Sequence, residues 1–381
     1  MWISRLLLTD FRNHEQLSLV LERGPVVLAG PNGAGKTNVL EAVSLLTAGQ
    51  GLRRAPYAEL ARRDGAGGWA VAATVQTITG PVAIGTGLSP AAQHGGDRTG
   101  RTVRLDGERQ AGSGVLAEHV ELLWLTPAMD GLFTGPGSER RRFLDRLVLC
   151  FDPAHAARAG QFERAMRQRN RLLDDGVRDP SRFRGLETLM AQTGVAIAAA
   201  RMGAVTALCG KIDARRAHTP DSPFPWATVA VTGTLEAAVA VQPAVDVEDA
   251  YATALHSGRE RDRAAGRTLE GPHRSDLVVE HGAKSMPAGS CSTGEQKALL
   301  VGLILAHAEL LSDRRNGVAP LLLLDEIAAH LDENRRRALF EELLRLGSQA
   351  WLTGTDRSAF SALVNAAQFL TVKEGSIAAA A

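Results

Sequence analysis

Gly30-Pro31-Asn32-Gly33-Ala34-Gly35-Lys36-Thr37 carries the pattern GxxxxGK[ST]. Each residue type in it has a chemical reason. Glycines let the backbone fold closely around an anion, and a helix starting just beyond them points its free N–H groups at that anion. Lys36 is placed to reach the β- and γ-phosphates of a nucleoside triphosphate, and the Thr37 hydroxyl to bind Mg²⁺. A second set is acidic: the four leucines Leu321 to Leu324 run straight into Asp325 and Glu326. A buried strand that delivers carboxylates at its C-terminal end is where a parallel-sheet protein gathers its chemistry. Asp325 suits the Mg²⁺ shell and Glu326 suits polarising an attacking water. Alone, the two acids fit a solvated strand end equally well. Beside a phosphate loop, Lys36, Asp325 and Glu326 read as a catalytic set.

A third stretch, Ser292-Thr293-Gly294-Glu295-Gln296-Lys297, opens a helical pattern. Ser292, Gly294 and Gln296 combine a hydroxyl, a glycine and free helix-start N–H groups, which suits an anion. The same residues suit a plain capping box, with Ser292 or Thr293 as cap and Glu295 in the first turn. Asp332 likewise reads as the cap of the next helix.

These groups need elements to hold them. Trp2 to Leu8 and Gln16 to Leu21 read as strands around a turn at Arg12-Asn13-His14. Pro25 to Ala29 reads as the buried strand before the loop, and 37–48 as the helix after it. Strands are expected within 69–84 and at 102–105, with glycine-rich loops at 65–68, 85–100 and 107–114. Val120 to Leu125 is a further apolar segment. From Glu139 to Ile212 the chain reads as helices broken near Asp152-Pro153, Asp175-Gly176 and Asp179-Pro180. A small hairpin is expected within 219–247, and a helix at 247–265. A strand at Asp276 to Glu280 precedes helix 295–313, strand 320–325, helix 333–346, strand 350–353, and a last helix and strand. Ala378 to Ala381 reads as a frayed end. Strand-and-helix character at both ends thus flanks a mostly helical block. The expected fold is α/β: a phosphate-loop lobe of 1–125 and 271–381, interrupted by a helical lobe of 126–270.

Composition narrows the class. The 381 residues are 45% hydrophobic and 22% charged, which fits a globular protein and excludes whole-chain disorder or fibre. The net charge is +1, so no global field draws this chain to nucleic acid or membrane. Cys150, Cys209 and Cys291 are odd in number and widely spaced, which argues against a disulfide framework or a zinc site. The first fifteen residues are too polar for a signal peptide. The longest strongly apolar run, Ala298 to Ala306, is about half of the roughly 20 residues a bilayer crossing needs. A cytoplasmic protein without membrane association is expected.

The order of phosphate loop, Ser-x-Gly-x-Gln helix start, leucine-rich acidic strand and Leu331-Asp332 resembles the heads of ABC-type ATPases. In that family the serine–glycine segment of one subunit closes on the terminal phosphate held by another. The resemblance therefore implies an ATP-dependent homodimer. With 289 residues between Lys36 and Asp325, there is room for a compact insertion and none for a long coiled coil. The similarity sharpens to the RecF family of bacterial recombinational-repair ATPases. The blocks that carry it are Asp10-Phe11-Arg12-Asn13, residues 30–53, SERRRFLDRL (138–147), RQRNRLL (167–173), GPHRSDL (271–277), STGEQK (292–297) and LLLLDEIAAHLD (321–332). Cys291 departs from a leucine common at that point. The segment 350–356 lacks the histidine that transporter-type heads place there, which implies slow hydrolysis.

The resemblance implies an ATPase-head fold with a helical insertion, ATP and Mg²⁺ as ligands, and weak, DNA-stimulated hydrolysis. It also implies binding to double-stranded and gapped DNA, and cooperation with RecR and RecO in loading RecA at single-strand gaps. In related SMC-type heads a first-turn arginine reaches the nucleotide, which nominates Arg12; a solvated turn arginine is the even alternative. For DNA, segment 139–171 holds nine arginines against four acids. Arg164, Arg167 and Arg171 fall on one helical face and suit phosphate contacts without base readout. By charge alone a solvated face serves as well. Two rival classes share part of the pattern. An ABC-transporter nucleotide-binding subunit leaves GPHRSDL and the arginine-rich block unexplained, and a small-molecule kinase leaves Ser292 to Gln296 idle.

Overall fold

The computed structural model describes residues 1–90 and 100–379. The chain opens on strands β1 (Trp2–Phe11), β2 (His14–Val20) and β3 (Val26–Ala29), and β3 feeds helix α1 (Lys36–Ser44). Strands β4 (Trp69–Thr77), β5 (Gly80–Leu88), β6 (Thr102–Leu105) and β7 (Glu108–Arg109) follow, then α2 (Leu116–His119) and β8 (Leu122–Leu125). The middle is helical: α3 (Gly137–Leu149), α4 (His155–Asp174), α5 (Ser181–His218), β9 (Ala227–Thr232), α6 (Thr234–Val239), α7 (Ala244–Ser257) and α8 (Arg259–Ala264). Strands β10 (Asp276–His281) and β11 (Met286–Pro287) lead to α9 (Thr293–Arg314). The rest is β12 (Leu321–Leu324), α10 (Glu333–Leu346), β13 (Ala350–Gly354), β14 (Gln368–Lys373) and β15 (Ser376–Ala379).

Two compact units emerge: Met1–Asp130 with Arg215–Pro225 and Ser292–Ala381, and Gly131–Ala214 with Trp226–Cys291. The first unit holds two six-stranded sheets. One is antiparallel, in the order β2-β1-β4-β5-β6-β7. The other runs β15-β14-β3-β13-β12-β8, parallel from β14 to β8 with β15 antiparallel at the edge. Its central strands are unbroken apolar runs because a parallel sheet is covered on both faces; Val26, Val27 and Leu321 to Leu324 are all buried. The alternating strand β1 instead buries Ile3, Leu6, Leu8 and Phe11 in one core with Leu28, Val39, Leu323 and Trp351. Buried Gln349 ties the two sheets: its amide accepts from the Ile3 N–H at 2.8 Å and donates to the Ile3 carbonyl at 3.0 Å.

In the parallel sheet β13 lies between β3 and β12. The phosphate-loop strand and the acidic strand are therefore separated by one strand, and both end on the same side.

The second unit packs Phe162 of α4, Met190, Val195 and Ile197 of α5, Leu235 of α6, and Val247, Tyr251 and Leu255 of α7 into one core. Helix α5 is 38 residues long. It is the one helix among the described residues long and apolar enough to cross a membrane. Its Met190, Ala191, Val195, Ile197 and Ala198 are buried in the unit's core, so the apolarity serves packing. Ala298 to Ala306 remains longer than any unbroken apolar run in this helix, whose apolar residues are interrupted by Thr193 and Arg201.

The expected hairpin within 219–247 does not form. Strand β9 pairs antiparallel with β10, Asp276 opposite Thr232 and His281 opposite Ala227. The last expected helix is a kinked 3₁₀ segment, Arg357–Leu363. Of the expected glycine-rich loop 85–100, residues 85–88 belong to β5, while 91–99 lie outside the described residues, as do Ala380 and Ala381 of the expected frayed end. Ala378 and Ala379 pair in β15.

Two sequence blocks of the second unit are fastened to each other. Arg140 forks onto Asp276 at 2.8 and 2.6 Å, and Arg141 donates to the Ser275 carbonyl at 2.8 Å. Arg201 forks onto Asp145 at 2.8 and 2.9 Å and donates to the Pro272 carbonyl at 2.6 Å. SERRRFLDRL and GPHRSDL are thus the two halves of one ionic clasp.

Candidate functional site

The loop leaves β3 with the Gly30 N–H donating to the Gly354 carbonyl at 3.2 Å. A side chain at Gly30 would meet the Val372 carbonyl oxygen at 2.2 Å. Gly33 and Gly35 take left-handed backbone, with φ of 78° and 112°. Helix α1 then begins at Lys36, and its first N–H groups have no partner within the helix. Asn32, Gly33, Gly35, Lys36, Thr37, Asn38, Arg53 and Glu326 line an open cleft of about 140 Å³. Exposed Pro31 and buried Ala34 shape the loop rather than line the cleft: the Lys36 ammonium donates to the Gly30 and Pro31 carbonyls at 2.6 and 2.9 Å, and the Ala34 carbonyl accepts from Gly375 N–H at 3.1 Å.

The acids arrive from β12. The Thr37 hydroxyl donates to Asp325 Oδ1 at 3.0 Å, across 288 residues of sequence. The Thr353 hydroxyl donates to the same oxygen at 2.7 Å, and its oxygen accepts from the Glu326 N–H at 2.8 Å. Glu326 holds a left-handed φ of 52°, uncommon for a residue with a side chain, and its carboxylate borders the cleft. Burial pushes the Asp325 carboxyl above its ordinary range, the neighbouring Glu326 adds to that, and the Thr353 and Thr37 hydroxyls oppose it. Burial lowers the Lys36 ammonium from its ordinary value, against the pull of Glu326 and Asp325. Each group carries its charge at a desolvation cost that a charged ligand in the cleft would offset.

The β1–β2 turn braces the loop from the side. Asn13 Nδ2 donates to the Ala34 carbonyl at 3.1 Å and Asn38 Nδ2 to Asn13 Oδ1 at 2.7 Å. Arg12 does not line the cleft. Its guanidinium forks onto buried Glu41 at 2.8 and 2.9 Å and donates to the Glu59 carbonyl at 3.0 Å. Arg53, which sequence reasoning passed over, does line it and donates to Asn38 Oδ1 at 2.7 Å. Its only signal was its place in the block 30–53.

Ser292, Gly294 and Gln296 stand at the start of α9, apart from the cleft lining. The capping box is present: the Glu295 N–H donates to Ser292 Oγ at 3.4 Å and the Ser292 N–H to Glu295 Oε2 at 3.0 Å. Ser292 and Gly294 are exposed, whereas Gln296 is buried. Arg164, Arg167 and Arg171 project from α4, exposed and, among the described residues, in no ion pair, while Arg169 between them is fully buried on Glu187 and Asp262. Arg140, Arg142 and Arg158 of the same segment are likewise paired, with Asp276, Glu139 and Asp152. Among the described residues no group of three or more His, Cys, Asp or Glu side chains is arranged to hold a metal, and the three cysteines form no disulfide.

A glycine cradle at a helix start, with a lysine, a threonine–aspartate contact and a following glutamate at the end of a parallel strand one place removed, defines an ABC-type phosphate-loop head. A family model described as RecF/RecN/SMC N terminal domain matches residues 2–376. This chain belongs to the RecF family. A "DNA replication and repair protein RecF" from Mesorhizobium japonicum is 56% identical over 376 residues, covering 98% of this chain and 97% of that protein. One from Brucella suis biovar 1 is 51% identical over 376 residues, covering 98% and 95%. The fold matches a solved structure described as the recombination mediator protein RecF-ATP in the RecFOR pathway, with a TM-score of 0.85 at 21% identity, covering 100% of this chain and 98% of that one. It also matches an Smc head domain from Pyrococcus furiosus, with a TM-score of 0.54 at 16% identity, covering 100% and 96%.

Proposed function

We propose that this chain is an ATP-gated DNA-binding ATPase of recombinational repair and replication restart. On this reading it dimerises when ATP is bound, holds double-stranded or gapped DNA, hydrolyses ATP slowly and helps RecR and RecO load RecA at single-strand gaps. The first unit acts as the ATPase lobe and the second as its inserted lobe. The observation that carries the reading is the meeting of Thr37, Asp325 and Glu326 at the mouth of the phosphate loop, with Thr37 and Asp325 3.0 Å apart. The relatives' names and the RecF-ATP structure support it.

Residues 30–37 enclose the phosphates through backbone N–H groups, with Lys36 turning from the Gly30 and Pro31 carbonyls to the β- and γ-phosphates. A hydroxyl and a carboxylate are hard oxygen donors, and Mg²⁺ takes few protein ligands beside phosphate and water, so Thr37 and Asp325 fit it. Bound there, Mg²⁺ would offset charge on the phosphates. Glu326 orients the attacking water and accepts its proton as the bond to ADP breaks. Arg12 must leave Glu41 to reach a nucleotide. Ser292 and Gly294, exposed at their helix start and away from their own cleft, are free to meet the terminal phosphate in a second copy of the chain.

Sedimentation velocity of Glu326→Gln with Mg²⁺, with and without ATP, tests the reading. A dimer formed only with ATP is expected. A monomer under both conditions reduces Ser292 to Gln296 to a helix cap.

A further inference from the structure

The strand between the loop and the acids carries an unassigned device. Strand β13 pairs with β3 on one side and β12 on the other. At its last two residues it touches both functional ends. The Gly354 carbonyl accepts from Gly30, where the phosphate loop starts. The Thr353 hydroxyl donates its one proton to Asp325 and accepts from the Glu326 N–H. Thr353 is fully buried. Its hydroxyl cannot face solvent or a nucleotide while both bonds hold, and a hydroxyl has one proton to give.

The second bond matters for Glu326. A left-handed backbone at a non-glycine residue costs free energy and persists only where the surroundings impose it. Glu326 has φ of 52°, and its N–H is fixed by Thr353. That conformation turns the chain sharply after Asp325, so that Asp325 faces Thr37 while Glu326 borders the cleft.

We propose that Thr353 is a positioning residue of the hydrolysis site: one buried hydroxyl sets the Asp325 carboxylate and the Glu326 backbone in register with the phosphate loop. The inference rests on the ATPase reading above and adds a group that touches neither nucleotide nor water. It predicts a split between binding and turnover, because among the described residues the Thr353 hydroxyl bonds to Asp325 and the Glu326 N–H and not to the loop, Lys36 or Thr37.

The test compares Thr353→Val, which keeps the shape and removes the hydroxyl, with Thr353→Ser, which keeps the hydroxyl, and with Glu326→Gln. Three readouts are taken: affinity for a fluorescent ATP analogue, single-turnover ATP hydrolysis, and amide hydrogen exchange in the peptide containing Glu326. For Thr353→Val the expectation is affinity within about threefold of the parent, hydrolysis at least tenfold slower, and exchange at the Glu326 amide at least tenfold faster. Thr353→Ser is expected to restore rate and protection to within about threefold. Hydrolysis by Thr353→Val at the parental rate overturns the proposal, as does a Thr353→Ser protein no better than Thr353→Val, or a loss of affinity as large as the loss of rate. If Thr353→Val lacks a cooperative melt, Thr353→Ala takes its place; if neither folds, Thr353 is a core residue and the proposal fails. Parental hydrolysis by Glu326→Gln would instead sink the catalytic reading of Glu326.

Discussion

Gly35 shows how much chemistry one residue type can fix. Its φ of 112° lies where a side chain is strained, and a Cβ there would stand 2.6 Å from the Asn13 amide nitrogen. That amide holds the Ala34 carbonyl, so Gly35→Ala strikes both the loop and its brace. Backbone strain of this kind costs about 1–3 kcal/mol. The expected outcome is a drop of roughly tenfold or more in affinity for a fluorescent ATP analogue, with the far-ultraviolet circular dichroism unchanged. The spacing of Gly30 to Thr37 made this part of the site legible, because phosphate binding constrains backbone and side chain at fixed offsets. The same pattern carried no information on which arginine faces the cleft. Arg12 and Arg53 both approach Glu41, and only the fold decides that Arg12 forks onto it while Arg53 reaches Asn38 at the cleft wall. Arg101 left no sequence signal either. It is buried and donates to the Thr47 carbonyl beyond the end of α1 at 2.5 Å.

Elements were read well where one segment decides its own conformation. The breaks at Asp152-Pro153 and Asp179-Pro180 fall between α3, α4 and α5, because proline ends helices for local reasons. Strand β9 failed that rule. Its partner β10 lies beyond three helices, and no turn signal announces a pairing over that distance. The clasp between α3 and GPHRSDL was also invisible as structure, although both blocks stood out as patterns. It has a measurable pH signature. Burial disfavours the charged Asp145 carboxylate, but bonds from His155 and Arg201 outweigh it and hold the carboxyl at about 2, below its ordinary 3.8; Arg141 faces the same group. A lowered carboxyl contributes stability that is complete above its unfolded value and lost as pH falls toward the folded one. The clasp should therefore lose roughly 2 kcal/mol between about pH 4 and pH 2. Denaturant unfolding at pH 7, 4 and 3 checks this. Asp145→Asn should be destabilised at pH 7 by about 2–4 kcal/mol, since it leaves buried Arg201 short of a carboxylate. Its remaining stability should fall less steeply below pH 4. A parent and a variant with parallel profiles would place the acid sensitivity elsewhere.

At the scale of the whole molecule, a net charge of +1 cannot hold DNA by a general field. On the proposed reading, DNA contacts come from cations that the fold has not already used. In segment 139–171 the structure spends Arg140, Arg142, Arg158 and Arg169 on carboxylates of its own. Arg164, Arg167 and Arg171 stay exposed along α4. Cations spent inside the protein release no counterions on binding, whereas exposed ones do, at a slope of roughly 0.9 per phosphate contact on duplex DNA. Replacing all three by alanine should therefore flatten the plot of log affinity against log salt by about 2.7 per protomer. The loss of affinity should be nearly uniform across sequences, since no base edge is read. If dimerisation brings two copies onto one duplex, the flattening should double in the Glu326→Gln protein with Mg²⁺ and ATP, and stay at the single value without ATP. Duplex titrations between low and moderate salt, with and without ATP, separate the cases. An unchanged slope moves the DNA contacts off α4. A slope change that ignores ATP keeps the arginines and removes the dimer from DNA binding.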